Sequence, residues 1–387
     1  MSSDHAQLPV RSAKLARVRD LFLQPAPAAR VDVRALLTAS PVVLAPMEDV
    51  SDAAFRRVCR TAGRLPGDGA RSPIVCVTEF VHVDQILSGS KIARRKLALA
   101  TEDGPTAAQI YGADPQRLLI AAGIAEAAAP AFIDINCGCW VPRIAGKGAG
   151  AGWLRDPAAM VAMARDVVAA VSLPVTVKTR IGWDTTQLPI LDLVRRLEDV
   201  GVAAITIHCR TAVSGHSGPA DWRWAARARE AVAIPIIVNG DVRTGEDAQR
   251  ALAETGCAAA MIGRGAIDHP WAFREARALL AGIAIEPPTV AERCALYAAA
   301  VTHNVELRGE SVGVPVSRRY LRLLGPIADA IRAPLFAAQH LAEVLAVLDI
   351  FLDETRRKHG PASNDPCPGP PSRSITAETA ASTASSG

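Results

Sequence analysis

Aromatic side chains make up only 4% of the 387 residues, which excludes a surface built on rows of stacking rings. Charge of one sign is not in excess either. Forty-three lysines and arginines stand against 39 acids, a formal net charge of +4, which permits an anionic partner without demanding one. The eight cysteines, at 59, 76, 137, 139, 209, 257, 294 and 367, include no CxxC pair. Reduced thiols are therefore expected, and a zinc site is not. No run of about 18 apolar residues occurs to span a bilayer. The opening MSSDHAQLPVRSAK has no apolar core for a signal peptide. A soluble, cytoplasmic, monomeric protein without metal or membrane contact is the expectation.

Half of the residues are apolar and 21% are charged, ample material for a globular core. Eight apolar runs recur between about Asp32 and Ile283: PVVLAPM (41–47), IVCVTEF (74–80), TAAQIYG (106–112), FIDINCG (132–138), PVTVKTRIG (174–182), AAITIHCR (203–210), PIIVNGDV (235–242) and AAMIGRGA (259–266). Longer Ala/Leu/Arg stretches of helical character separate them. Continuous apolar strands divided by helices are what a parallel sheet buried on both faces requires. Eight such units in roughly 250 residues predict a (β/α)8 TIM barrel rather than a doubly wound sheet. After Pro288 the strands stop and apolar residues recur at helical spacing.

The expected organisation is an extension over 1–31, a barrel over 32–287, a small all-helical domain over 288–360 and a tail over 361–387. The extension carries RSAKLARVRDLFL, read as a helix packed outside the barrel. In the tail 21 of 27 residues are Pro, Ser, Thr, Gly or Ala, too few large apolar groups to offset the entropy of ordering. Disorder is expected there.

In such a barrel the C-terminal strand ends converge on one face, where the chemistry sits. The ends read Pro46, Met47 and Glu48; Thr78 and Glu79; Gln109; Asn136, Cys137 and Cys139; Lys178 and Arg180; His208 and Arg210; Asn239 and Asp241; Gly263 and Arg264. VNGDV and IGRGA put glycines and backbone donors after the seventh and eighth runs, where these barrels commonly hold a phosphate, with Arg264 placed to pair with it. Lys178, His208 and Gln109 suit the polar edge of a planar heterocycle. Flavin mononucleotide satisfies both demands, and a sugar phosphate satisfies the first; the residues alone leave both open. Cys139 lies in the glycine-rich INCGCWVPRIAGKGAGAG, which brings a thiol near a ligand without obstruction. A thiol with a pKa near 8.5 is mostly protonated at neutral pH and serves as a general acid as well as a nucleophile. If strand alternation continues past the run, Cys137 points the same way as Cys139.

The motifs APMEDVSDAAFRRVC, VTEFV, AAQIYGADP, DINCGC, KGAGAGWLRDP, PVTVKTRIGWD, IHCRTAVSGHSGPADW, PIIVNGDV and GCAAAMIGRGAIDHPWAF, in this order between Pro41 and Arg274, resemble the tRNA-dihydrouridine synthases. The resemblance implies an enzyme that holds flavin mononucleotide tightly and uses NADPH to reduce the 5,6 double bond of particular uridines in transfer RNA. Cys139 matches the cysteine of the N-x-G-C motif, which protonates carbon 5. Pro46, Met47, Glu48, Gln109, Lys178, Asn239, Gly240, Asp241, Gly263 and Arg264 match flavin-contacting positions, and His208 matches a histidine near the isoalloxazine. Asn136 and Arg180 would face the target base. The chain departs from the family after the cysteine. Proline and then, two residues on, lysine are usual there, whereas this chain has Trp140, Val141, Pro142 and Arg143, with Arg143 keeping the positive charge one position later toward the substrate. Cys209 stands where glycine is common.

Reaching a uridine in folded transfer RNA requires pulling it from its stack, with the helical domain clamping the RNA. Two basic clusters are candidates for that clamp: Lys91, Arg94, Arg95 and Lys96, and Arg318, Arg319 and Arg322. Over 288–360 nine basic residues face eight acids, so any binding face there is a local patch. Two other readings compete: a flavin barrel reducing a free pyrimidine or other small enone, and an RNA-binding factor without turnover.

Overall fold

The computed structural model describes residues 13–24, 31–69, 71–99 and 104–359. The expected disordered tail lies outside the described residues, as do residues 1–12 of the extension.

Each apolar run contributes one strand. They are β1 (Val42–Leu44), β2 (Val75–Val77), β3 (Thr106–Tyr111), β4 (Phe132–Cys137), β5 (Val175–Arg180), β6 (Ala204–His208), β7 (Ile236–Asn239) and β8 (Ala259–Ile262). Neighbours in sequence pair in parallel around the sheet, and β1 pairs with β8 through Val42↔Ala260 and Leu44↔Ile262, which closes a TIM barrel. A two-residue ladder, Val81–His82, extends the rim beside β3. The strands end before the apolar runs do, and the run remainders form the loops of the mouth.

Side chains alternate across each strand, so the barrel has two cores. Ile133, Ile135, Val177, Ile205, Ile207 and Val238 face outward and pack under the helices. Val43, Val75, Ala107, Ala204, Ile237 and Met261 face inward at the bottom, where Val33 and Leu37 of helix Val33–Ala39 plug the opening. Fully burying Leu37 contributes about 1.5–3 kcal/mol. Above this apolar plug the inward positions turn polar: Gln109 and Asp134, then Asn136, Lys178, His208 and Asn239. The bottom thus supplies stability and leaves the upper layer to chemistry.

The helices start where the sequence caps them. Asp52, Asp114 and Asp156 accept from the first-turn amides of Phe55, Gln116 and Ala159, and Thr244 and Thr289 form capping boxes with Asp247 and Glu292. In the N-terminal segment helix Ala13–Asp20 buries Val18, and Phe22 beyond it, against the outside of the barrel, and the Gln24 amide donates to the Ala127 carbonyl at 2.9 Å.

Beyond β8 the structure is helical, including Val290–Arg308, Glu310–Ser317, Ala328–Ala337 and Leu341–His359. No helix among the described residues is long and apolar enough to cross a membrane. One junction between the helices after Pro288 and the barrel centres on Asp52 and Phe55. Tyr320 stacks on Phe55 with ring centroids 5.8 Å apart and planes 3° apart, and Asp52, 6% exposed, receives Arg308 at 2.7 Å and Arg319 at 2.8 Å. One buried carboxylate therefore caps helix Ala53–Ala62 and binds two cations from the helical region.

Candidate active site

A cavity of about 290 Å3 opens at the C-terminal ends of the strands, near the lower end of the range for small-molecule sites. All the site residues expected from sequence line it except Gln109, which lies beneath its floor, and Arg143, which stands exposed on the short helix Pro142–Ala145.

Cys139 opens onto the cavity and Cys137 does not. Cys137 ends β4 on the outward face, fully buried among the apolar residues under the helices. Alternation stops at Gly138, which packs so closely on β5 that a Cβ there would lie 3.3 Å from the Thr179 carbonyl carbon. The chain turns, and the two thiols part. This corrects the expectation that they point the same way. Gly150 (φ 57°) seats the loop from the other side, where a Cβ would approach the Cys139 carbonyl oxygen to 2.7 Å. Burial pushes the Cys139 thiol above its ordinary pKa, outweighing the opposing pull of the Val141 amide, Arg180 and Lys178. At neutral pH the sulfur carries its proton.

A buried hydrogen-bond chain holds that loop. Thr176 Oγ1 donates to Asp134 at 2.5 Å, Gln109 Nε2 donates to Asp134 at 2.6 Å, and Asn136 Nδ2 donates to Gln109 Oε1 at 2.9 Å. Asn136 Oδ1 then accepts from the amides of Gly138 and Cys139 at 3.1 and 3.0 Å. Both ends of the Asn136 amide are therefore engaged within the protein. Gln109 is its support, one layer down.

Arg180, 2% exposed, donates to the carbonyls of Gly138, Thr211 and Gly215, each at 2.8 Å. It ties the Cys139 loop to the loop after β6 while lining the cavity. Burial lowers its pKa to about 10. Lys178 Nζ donates to Asn239 Oδ1 at 3.2 Å, and burial, then Arg180, brings its pKa to about 8. His208 Nε2 lies 3.3 Å from Arg210 Nη1. A guanidinium only donates, so Nε2 is the acceptor and the ring proton sits on Nδ1. Burial and the surrounding cations keep that imidazole neutral.

Two residues of the mouth adopt left-handed backbone, Asp49 (φ 58°) and Asp241 (φ 55°), at a cost of about 1–2 kcal/mol each. The Glu79 carboxylate accepts from the Asp49 amide at 2.9 Å. Both Asp241 oxygens take Arg210 Nη2, at 2.7 and 2.6 Å, and one takes the Ala220 amide at 2.8 Å. The loops after β7 and β8 thus present Gly240, Arg243, Gly263 and Arg264 to the cavity on a fixed frame.

Residues 43–353 match the family model described as Dihydrouridine synthase (Dus). The chain is 33% identical over 323 residues to "Probable tRNA-dihydrouridine synthase 1" of Synechocystis sp., covering 82% of this chain and 88% of the relative. It is 35% identical over 300 residues to "Probable tRNA-dihydrouridine synthase" of Rhodobacter capsulatus, covering 77% and 89%. To "tRNA-dihydrouridine synthase B" of Pseudomonas aeruginosa it is 34% identical over 284 residues, covering 72% and 82%. The chain belongs to the dihydrouridine synthase family.

Several residues of this dihydrouridine synthase family member join the site without having been singled out as ligands. Arg210 and Arg243 line the cavity, and Arg210 fixes both His208 and Asp241. His216, from the loop after β6, tilts over His208 at 5.7 Å between centroids. Burial and Arg264 lower its pKa to about 4. Arg210 follows a strand end by two residues, a signal in plain view; His216 lies eight residues past its strand, where no periodicity reports orientation. Phe80 and Trp140 complete the rim.

Four members of the two basic clusters already have protein partners. Lys96, 4% exposed, contacts Glu48 at 2.5 Å and Glu79 at 3.9 Å. These two carboxylates belong to a group in which Glu48, Asp49 and Glu79 oxygens lie within 4.8 Å of one another. Arg318 donates to the Phe336 carbonyl at 2.8 Å, Arg319 to the Asp49 carbonyl at 2.6 Å and to Asp52, and Arg322 to Asp268. Arg319 and Arg322 therefore also tie helices to the barrel, while Arg318 binds within the helical region. Lys91, Arg94 and Arg95 are exposed.

Proposed function

We propose that this protein is a flavin-dependent tRNA-dihydrouridine synthase that adds hydrogen across the 5,6 double bond of uridines in transfer RNA, with NADPH as reductant. The observation that carries the reading is the Cys139 thiol facing one cavity with a buried lysine and two glycine-bearing loops.

The residues present fit flavin mononucleotide. Ala45, Gly240 and Gly263 leave the mouth of the barrel low enough for a planar ring system, and Arg243, Arg264 and the backbone after β7 and β8 suit its phosphate. Glu48, which lines the cavity, has a buried carboxylate oxygen with no hydrogen-bond partner, an acceptor matching the N–H and hydroxyl groups of such a molecule. When bound, flavin supplies hydride chemistry to carbon 6 of the uracil.

The chain's own residues supply the rest. Negative charge that develops on the uracil carbonyl is stabilised by Lys178, reinforced by the fixed positive field of Arg180. Neutral His208 contributes a hydrogen-bond donor at Nδ1 instead of a third charge. Cys139 Sγ gives its proton to carbon 5, completing the addition. Asn136, Gln109 and Asp134 hold the amide of Cys139, and thereby the sulfur, in place.

The pH dependence follows from Lys178. Burial disfavours its charged form, so the cation is present below about pH 8 and is lost as pH rises through that value. Single-turnover reduction of transfer RNA by pre-reduced enzyme is expected to hold through neutral pH and decline above about 8. Lys178→Met should be slower and lack that decline. An unchanged profile in Lys178→Met would remove the lysine from the step.

Two measurements test the function. The purified protein should be yellow, and transfer RNA from a deletion strain should lack dihydrouridine that the wild-type gene restores. Reduction of free uracil but not of transfer RNA would favour a small-enone reductase. A deletion phenotype rescued by Cys139→Ala would favour an RNA-binding factor without turnover.

A further inference from the structure

We infer that Trp140 is a stacking wall for a nucleobase of the RNA substrate, placed beside the reacting uracil; the inference rests on the synthase reading and assigns a residue within the same site. Trp140 follows Cys139 directly, lines the same cavity and is 37% exposed. Large aromatic rings are scarce in this chain and only Trp140 and Phe336 among them are exposed, so an exposed one at the mouth needs a reason.

The geometry supplies it. Gly215 has a left-handed backbone (φ 58°), and a Cβ there would sit 3.3 Å from three atoms of the indole ring, Cδ2, Cε2 and Cε3. Near-equal approach to three ring atoms means that one face of the indole lies against the Gly215 backbone. The His216 ring stands nearly perpendicular to it, with centroids 5.8 Å apart and planes 87° apart. Gly215 thus covers one face and His216 packs beside the ring, yet 37% of Trp140 stays exposed at the cavity. The platform is also stiff. Arg180 donates to Gly138 on the Trp140 side and to Gly215 beneath the ring, each at 2.8 Å, so a single buried guanidinium fixes both loops. A rigid, partly exposed ring beside a cationic cavity is the arrangement by which proteins hold unstacked bases without reading their sequence. A base pulled from the RNA stack loses its neighbours, and Trp140 returns one.

The test compares Trp140→Ala and Trp140→Phe with wild type in the flavin-loaded enzyme, using transfer RNA transcribed without modifications. Four quantities are read: flavin content, the rate of flavin reduction by NADPH without RNA, affinity for the RNA, and kcat/KM for dihydrouridine formation. Trp140→Ala is expected to lower RNA affinity and kcat/KM by about 5- to 150-fold, mainly through KM, the range seen when one base loses its aromatic partner. Flavin content and reduction by NADPH should stay at wild-type values, and Trp140→Phe should recover most of the loss. Wild-type affinity and kcat/KM in Trp140→Ala overturn the proposal, and so does equal impairment of the alanine and phenylalanine variants. If wild type binds the RNA but never reduces it, the synthase reading fails while the affinity comparison still decides the wall.

Discussion

Cys139→Ala is expected to retain its flavin and to form dihydrouridine about 10²- to 10⁴-fold more slowly, the usual contribution of a positioned general acid. The size follows from the state of the thiol. Burial raises its pKa, so nearly every molecule carries the proton at neutral pH and loses it with the sulfur. Cys137→Ala should turn over at close to the wild-type rate, because its sulfur is buried on the far side of β4 among apolar side chains. Single-turnover measurements by mass spectrometry of digested RNA distinguish the two. Cys139→Ala at wild-type rate would end the proposed proton transfer, and a slow Cys137→Ala with intact flavin would reverse the assignment.

Asp52→Ala is expected to cost about 3–5 kcal/mol, the range for breaking a buried ion pair by removing one partner. Arg308 and Arg319 both end on this carboxylate, which also caps helix Ala53–Ala62 by accepting from the Phe55 amide. Removing it strands two guanidinium groups, of which Arg308 is 17% exposed. Asp52→Asn keeps the cap and one acceptor and should lose less. Urea unfolding of the flavin-loaded protein measures both. A loss below about 1 kcal/mol, typical of surface pairs, would show that stacking of Tyr320 on Phe55 holds the helices without it. Arg319 also donates to the Asp49 carbonyl, so the same variant loosens the loop carrying Met47 and Glu48.

The eight strands were legible because each is buried on both faces, which leaves an apolar run that polar loops cannot imitate. The mouth was legible for the same reason: Lys178, His208 and Asn239 interrupt apolar strands near their C-terminal ends, where only function explains a polar group. Orientation beyond a strand end was not. Cys137 and Cys139 share parity in sequence and part in space because Gly138 turns the chain against Thr179. Nor does sequence show what a polar side chain already holds. Asn136 and Arg180 read as groups facing a ligand; both line the cavity, and both also hold loop backbone in place. Arg319 and Arg322 read as part of a patch for RNA, and their partners Asp49, Asp52 and Asp268 lie more than 50 residues away.

Closure of the barrel bears on how the chain is made. The seam is Val42 against Ala260, and 260 − 42 = 218 residues separate them. At roughly 5–20 residues per second on the ribosome, the first strand waits about 10 to 40 s with one edge unsatisfied after β2 has covered the other. Through that interval the nascent protein exposes a short row of amides and carbonyls between Pro41 and Ala45, next to a half-built apolar interior. Chaperone demand should therefore peak before residue 260 is synthesised and fall away once it emerges.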